Sequence, residues 1–296
     1  MASQVKNGKA FEWAMGLAIR NKTGFVIEMN AVSENNRNCF NDNEITDKQR
    51  DLYNRNAHHA AEHILEKEML SGVGEIIFLA DDAGKKGDVR DLKIRTKTKI
   101  VGVSCKTNHD AYKHSRLSKK LDFVKKWGLD PSGCSEQYFN TISPLFDELA
   151  IMRKESNRQA LWADQADVPA RFYWPLLNAF ENEVARIQSP EMCEQFIQYL
   201  VGKYDFYKVV SKNKGVTIQG FNLQGTLNVA KPQLPTKIDL IKDKNSSQYS
   251  KTILFNKGWT FNFRIHSASS RVEASLKFDV QAVSLSPKIY THHIDF

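Results

Sequence analysis

No apolar run in this 296-residue chain approaches the roughly 20 residues needed to cross a bilayer, which excludes a helical membrane span. The opening MASQVKNGKAFEW lacks the apolar stretch of a secretory signal, so a cytoplasmic location is expected. Cysteine is scarce. Cys39, Cys105, Cys134 and Cys193 are widely spaced and form no CxxC pair, which excludes a disulfide framework and a cysteine zinc cage and fits reduced thiols. There is no internal repeat and no low-complexity tract, so repeat architectures are excluded too. What remains is ordinary for a globular protein, with 41% hydrophobic and 26% charged residues and room for one large domain or two modest ones.

Charge is unevenly placed. Between Lys93 and Lys126 there are eleven Lys or Arg and only two acids, Asp110 and Asp122, while the whole chain carries a net +8. The rest of the chain is therefore close to neutral, and one segment holds the basic character. A local basic patch points to a polyanionic partner.

That patch overlaps a predicted β-hairpin within Gly87 to Arg116. Residues 88–94 alternate polar and apolar, with Val89, Leu92 and Ile94 as the expected buried set, and residues 96–99 form a polar, basic turn. Residues 100–105 are mostly apolar, as a strand covered on both faces would be. In antiparallel pairing, Asp88 or Asp91 at the start of the first arm comes close to Lys106 at the end of the second. A carboxylate and a lysine meeting at a sheet rim have the means to hold a divalent metal and a water beside a phosphodiester.

Around the hairpin the spacing predicts a helix over residues 5–20, carrying Glu12 within GKAFEWA. Glu12 is there either the polar neighbour of a buried Phe–Trp pair or an acid presented toward the hairpin. The Asn-rich residues 33–46 read as an exposed loop. A second helix starts at Thr46, where Thr46-x-x-Gln49 has the form of a capping box, and stops before Ser71-Gly72. Residues 75–80 read as a central strand. A basic amphipathic helix is expected from Asp110 to Trp127, then helices over residues 142–159 and 169–201, with Pro190 kinking or splitting the latter. Beyond Lys203, alternating runs with turns such as Asn213-Lys214-Gly215 predict strands. The expected division is a core with a helical region over residues 1–202 and a β-rich segment, a possible clasp for the polyanionic partner, over residues 203–296.

A rival motif lies on the second helix. His59-Ala-Ala-Glu62-His63 matches the HxxEH arrangement of inverted zinc peptidases, in which two histidines one turn apart share a zinc. No third protein ligand is marked by its context, and an ordinary polar helix face is the better account.

The order of helix with Glu12, central strand, hairpin with acids, lysine and helix resembles the PD-(D/E)XK nuclease superfamily. The fold implied is an α/β (α+β) mixed sheet flanked by helices. The resemblance also implies that Asp91 is the main ligand of one or two Mg2+ ions, with Asp88 a close second, and that Lys106 orients the attacking water. One position departs from the pattern: Ser104 stands where an acid is expected two residues before the lysine. Glu12 and Asp110 are the candidates to replace it, and Asp122 is a remoter one.

At a finer level the chain resembles the HaeIII-type restriction endonucleases. The resemblance is carried by Gly8-Lys9-Ala10-Phe11-Glu12, Gly87-Asp88-Val89-Arg90-Asp91, Ser104-Cys105-Lys106-Thr107-Asn108-His109-Asp110, and Lys113-His114-Ser115-Arg116-Leu117-Ser118, followed by Asp122-Phe123 and Lys126-Trp127. It covers about the first 130 residues and implies type II cleavage of double-stranded DNA with GGCC as target. It further implies a cognate DNA methyltransferase as functional partner, and a palindromic target favours a homodimer. Asn108, His109, His114, Ser115 and Arg116 are placed to reach bases or phosphates, although His109 equally suits a helix cap. Lys113, Lys119, Lys120, Lys125 and Lys126 suit phosphate. A repair or recombination nuclease, or a noncatalytic DNA-binding protein, would share much of this sequence signature.

Overall fold

Ser3 starts the first helix, α1 (Gln4–Thr23), by accepting the Lys6 N–H, and Gly24 ends it in the left-handed conformation at φ 74°. The computed structural model describes residues 2–80, 87–108, 113–244 and 249–296. After α1 come β1 (Val26–Ile27), α2 (Ala31–Asn41), α3 (Asp47–Glu68), β2 (Gly74–Phe78), β3 (Leu92–Thr96) and β4 (Ile100–Thr107). Next are β5 (Lys113–Leu117), α4 (Phe123–Trp127), α5 (Glu136–Glu155), α6 (Trp174–Arg186) and α7 (Pro190–Val201). The chain finishes with β6 (Phe206–Lys212), β7 (Gly215–Phe221), β8 (Ile238–Asp243), β9 (Ser250–Phe255), β10 (Thr260–His266), β11 (Leu276–Ser284) and β12 (Tyr290–Asp295).

The described residues form two units. The first draws on Met1–Asp110, Gly202–Gln233 and Lys288–Phe296. Its seven-stranded mixed sheet has the order β1-β2-β3-β4-β6-β7-β12, with β4 and β6 parallel and the β2-β3-β4 run antiparallel. The expected hairpin is present, with Leu92 opposite Val103 and Ile94 opposite Val101, all four fully buried. Each such aliphatic side chain contributes about 1.5–3 kcal/mol on burial, so the register is strongly set. Helices α1 and α3 supply the apolar layer on this sheet through Phe11, Met15, Ala57, Ala60 and Ile64.

The second unit draws on Ala111–Val201 and Leu234–Pro287. Its antiparallel sheet has the order β5-β11-β10-β9-β8. An aromatic cluster of Phe123, Trp127, Phe180, Phe196, Phe263 and Phe278 fills its core. The β-rich segment after Lys203 is thus shared out: β6, β7 and β12 extend the first sheet, and β8 to β11 build the second.

Two local expectations are corrected. The Asn-rich residues 33–46 are not a loop throughout: α2 covers Ala31–Asn41, started by a reciprocal capping box between Asn30 and Ser33. Its buried face is Ser33, Asn36 and Phe40, so hydrophobic periodicity does not mark it. The helix expected over Asp110–Trp127 is strand β5 followed by the short α4. Pairing of Lys113–Leu117 with β11 supplies the backbone hydrogen bonds that helix propensity alone would place within the segment. At Pro190, where a kink or a split is expected, the structure has the split: α6 ends at Arg186 and α7 begins at Pro190, whose missing N–H costs nothing at that position.

Candidate active site

The hairpin register decides which acid meets the lysine. Asp91 immediately precedes β3, and its N–H donates to the Val103 carbonyl at 2.8 Å. That pairing turns its carboxylate to the end of β4. There Oδ2 accepts the Cys105 N–H at 2.6 Å, the Ser104 hydroxyl at 3.0 Å and the Lys106 ammonium at 3.3 Å. All three donors converge on one oxygen, and none of them engages Oδ1. Hydrogen bonds to an ionised acceptor are the strong ones.

Lys106 feels opposing influences. Burial pulls its pKa down, but the negative charge of Asp91 heads a set of contacts that outweighs this, and the net shift is upward. Lys106 is therefore a persistent ammonium. Cys105 is buried, and its thiol lies well above its ordinary pKa because of that burial and the nearby Asp91 and Glu12, so it stays protonated.

Glu12 reaches this site from α1. The helix lies close on the sheet because Gly16 meets Phe78 and Trp13 stacks on the same ring at 5.6 Å. Glu12 is only 5% exposed. Lys9 Nζ donates to both its oxygens at 3.2 Å, and Asn36 Nδ2 from α2 donates to Oε2 at 2.8 Å. Burial, then the like charge of Asp91, pushes its pKa up to about 7 despite Lys9 and Asn36. Two carboxylates forced near each other, one of them disfavouring its own charge, form an environment that a cation would relieve.

The other expected acids are placed differently. Asp88 forms a double contact with Arg90, Nε and Nη2 each at 2.7 Å, and the guanidinium lies 4.2 Å over the Tyr204 ring. Gly102 is needed there, because a Cβ would run into the Arg90 side chain. Asp122, in the second unit, caps α4 by accepting the N–H groups of Lys125 and Cys134, both at 3.0 Å. His109 and Asp110 lie outside the described residues.

Of the expected DNA contacts, Asn108 is exposed and left-handed (φ 54°), and its N–H closes β4 onto β6 by donating to the Ser211 carbonyl at 3.0 Å. Lys113, His114, Ser115 and Arg116 lie on β5 in the second unit. Ser115 bonds the Tyr199 hydroxyl at 2.9 Å, Arg116 holds Glu273 at 2.7 Å, and Lys119 holds Asp147 at 2.7 Å. Arg116, Lys120, Lys125 and Lys126 also line an open cleft of about 750 Å³.

The HxxEH residues are each tied elsewhere. Glu62 pairs with Lys22 at 2.8 Å, and His59 packs its ring on Phe296 at 5.1 Å. His63 Nε2 meets the Tyr290 hydroxyl at 2.6 Å, and its ring stacks on His292 at 4.1 Å. Among the described residues no group of three or more His, Cys, Asp or Glu is arranged to hold a metal. Asn36 is the residue that sequence reasoning missed at the candidate site, because nothing in an Asn-rich stretch marks which amide turns inward. Lys9 was legible only as a neighbour of Glu12 three residues away.

No described helix is long and apolar enough to cross a membrane. No solved structure matches this chain. The chain is 32% identical to the type II restriction enzyme HaeIII of Haemophilus aegyptius, over 96% of its own length and 95% of that protein's. Residues 8–286 match the HaeIII restriction endonuclease family. With agreement sustained over nearly the whole chain, this protein belongs to the HaeIII restriction endonuclease family, a family of site-specific deoxyribonucleases.

Proposed function

We propose that this protein is a type II restriction endonuclease that cleaves double-stranded DNA at GGCC by Mg2+-dependent hydrolysis of a phosphodiester in each strand. The observation carrying this reading is the convergence of Ser104, the Cys105 N–H and Lys106 on Asp91, with Glu12 within reach of its charge. This is the arrangement expected of a PD-(D/E)XK site in which the acid missing at Ser104 is replaced by Glu12 from a helix. The donor set suits Mg2+, which is commonly held by one or two carboxylates while keeping several waters. Asp91 and Glu12 would hold the ion. When bound, it supplies a Lewis acid that makes water a better nucleophile and offsets charge on the phosphate oxygens.

The residues of the chain do the rest. Lys106, fixed against Asp91, orients the attacking water and its positive charge offsets the charge that builds on phosphorus oxygens in the transition state. Ser104 and the Cys105 N–H hold the Asp91 carboxylate in one orientation. Asp88, occupied by Arg90, serves to shape the loop before β3. Hydrolysis forms one P–O bond from water and breaks another, leaving a phosphate end and a hydroxyl end. Asn108, His109 and the β5 residues Lys113 to Arg116 would contact DNA, and Lys119 and Lys120 would bind phosphate. GGCC reads the same on both strands, so a homodimer and a cognate methyltransferase acting on the same site in the cytoplasm fit this reading.

The test is digestion of unmethylated plasmid DNA with Mg2+, beside EDTA, Lys106→Ala and Asp91→Ala controls. Discrete fragments with GGCC-derived ends, lost in all three controls, are expected. Fragments ending at another sequence would refute the target alone, and activity surviving both substitutions would refute the site. Random or structure-directed nicking would point to a repair nuclease, and tight binding without cleavage to a noncatalytic DNA-binding protein.

A further inference from the structure

Asn36 breaks the local rules of the helix that carries it. It stands in the interior of α2, where asparagine is a poor helix former because its amide competes for backbone bonds. It is also completely buried. Its Nδ2 donates to Glu12 Oε2 at 2.8 Å, whereas its Oδ1 is buried without a hydrogen-bond partner among the described residues. Stranding a carbonyl oxygen is unfavourable, and a leucine, which branches at the same carbon, would have no polar atom to strand. Residues that violate local preference with no structural compensation concentrate at functional sites.

The surroundings narrow what the function is. Lys9, which also binds Glu12, sits three residues away on the same helix and ends in a flexible stem. Asn36 comes from a different helix, whose start is fixed by the Asn30–Ser33 capping box. Its short, branched amide fixes one Glu12 oxygen from outside α1, a constraint that a lysine on α1 does not supply.

We propose that Asn36 is a positioning residue for metal binding: it holds the Glu12 carboxylate in the orientation in which Glu12 and Asp91 act on one divalent cation. This rests on the reading of Asp91 and Glu12 as the metal-holding acids. Residues that orient metal ligands typically cost about 10–100-fold in metal affinity when replaced.

The experiment compares wild-type protein with Asn36→Leu, Asn36→Ala and Asp91→Ala. Mn2+ binding is followed through the loss of the free-ion electron paramagnetic resonance signal, the Mg2+ midpoint of cleavage is measured, and Tm is recorded for each. Both Asn36 variants are expected to weaken Mn2+ binding and raise the Mg2+ midpoint by about 10–100-fold, with cleavage at saturating Mg2+ largely retained and the Tm of at least one of them close to that of wild type. Unchanged Mn2+ binding and an unchanged midpoint, with Asp91→Ala inactive, would overturn the role of Asn36 alone. Collapse of Tm in both Asn36 variants would assign the residue to packing and overturn it equally. Wild-type Mn2+ binding and cleavage by Asp91→Ala would instead remove the site reading on which it rests.

Discussion

Asp91 takes the N–H of Cys105 at 2.6 Å, so the carboxylate at the start of one hairpin arm is held by the backbone at the end of the other. The contact does not depend on any side chain except that of Asp91, so it is expected to persist on substitution at Ser104 or Lys106. Asp91→Asn keeps the size of the group but turns an acceptor for three donors into a partial one and removes the charge. Cleavage is expected to fall by about 10²–10³-fold or more, as when one preorganised charge contact is lost at a reacting centre. Single-turnover assays at saturating Mg2+, with circular dichroism to confirm folding, check this.

Ser104 occupies the position where the superfamily pattern has an acid, and its hydroxyl supports Asp91 at 3.0 Å. Ser104→Ala should cost about 1 kcal/mol of stability, the usual net worth of one hydrogen bond, and lower cleavage by about 10-fold at most. Ser104→Asp should do worse, because it buries a third carboxylate beside Asp91 and Glu12. Urea unfolding of both variants gives the comparison.

Glu12 makes the metal-free protein sensitive to pH. Its folded pKa, about 7, lies above its ordinary value because of burial and Asp91. A raised carboxyl pKa means that the native state binds the proton more tightly than the unfolded chain. Stability from this group is therefore full below the ordinary glutamate range and declines as pH rises through 7. Glu12→Gln should remove the decline and stabilise the metal-free protein at pH 8 by up to about 3 kcal/mol while abolishing cleavage. Tm measured from pH 5 to pH 8 in EDTA tests the sign. A wild type that gains stability over that interval relative to Glu12→Gln would contradict it.

His63 belongs to the seam between α3 and β12, and among the described residues no group of three or more His, Cys, Asp or Glu around it is arranged to hold a metal. Its pKa is lowered by burial, then by His292 and Lys67, so it is held neutral. The stability it lends is present above the ordinary histidine pKa and is lost as pH falls through its depressed value. His63→Ala should cost about 1–2 kcal/mol through the lost Tyr290 bond and ring contact, with cleavage unchanged. Purified protein should carry no stoichiometric zinc by elemental analysis. Zinc at one equivalent, lost with His63→Ala, would revive the HxxEH reading.

The exposed lysines of α4 offer a separate handle on DNA affinity. Lys125 and Lys126 line the cleft on the second unit with Arg116 and Lys120. Replacing either with alanine should weaken binding about equally for specific and nonspecific duplexes and reduce the salt slope of log K by about 1. Filter binding at several salt concentrations measures both. A loss confined to GGCC-containing duplexes would mean that the residue reads bases.

The sequence by itself determined the hairpin, the burial of Leu92 and Ile94 and the lysine at its far end, because strand alternation and a polar turn are local signals, whereas Val89, expected in the buried set, is half-buried ahead of β3. It also determined the Thr46–Gln49 cap and the nuclease-like order of elements, and Glu12 stood out as an acid inside an apolar helical run. Only the tertiary structure decided between Asp91 and Asp88, since that depends on which residue the register sets against Ser104 and on an arginine folding back over Gly102. The helical nature of residues 31–41 was hidden for a related reason: its inward face is polar, and polar faces carry no periodicity in hydrophobicity. The strand at Lys113–Leu117 was likewise invisible locally, because its partner β11 lies more than 150 residues away in the chain, and hydrogen bonds over that distance leave no trace in neighbouring residues. Local patterns wrote the elements, and long-range pairing and burial chose which polar groups would face one another.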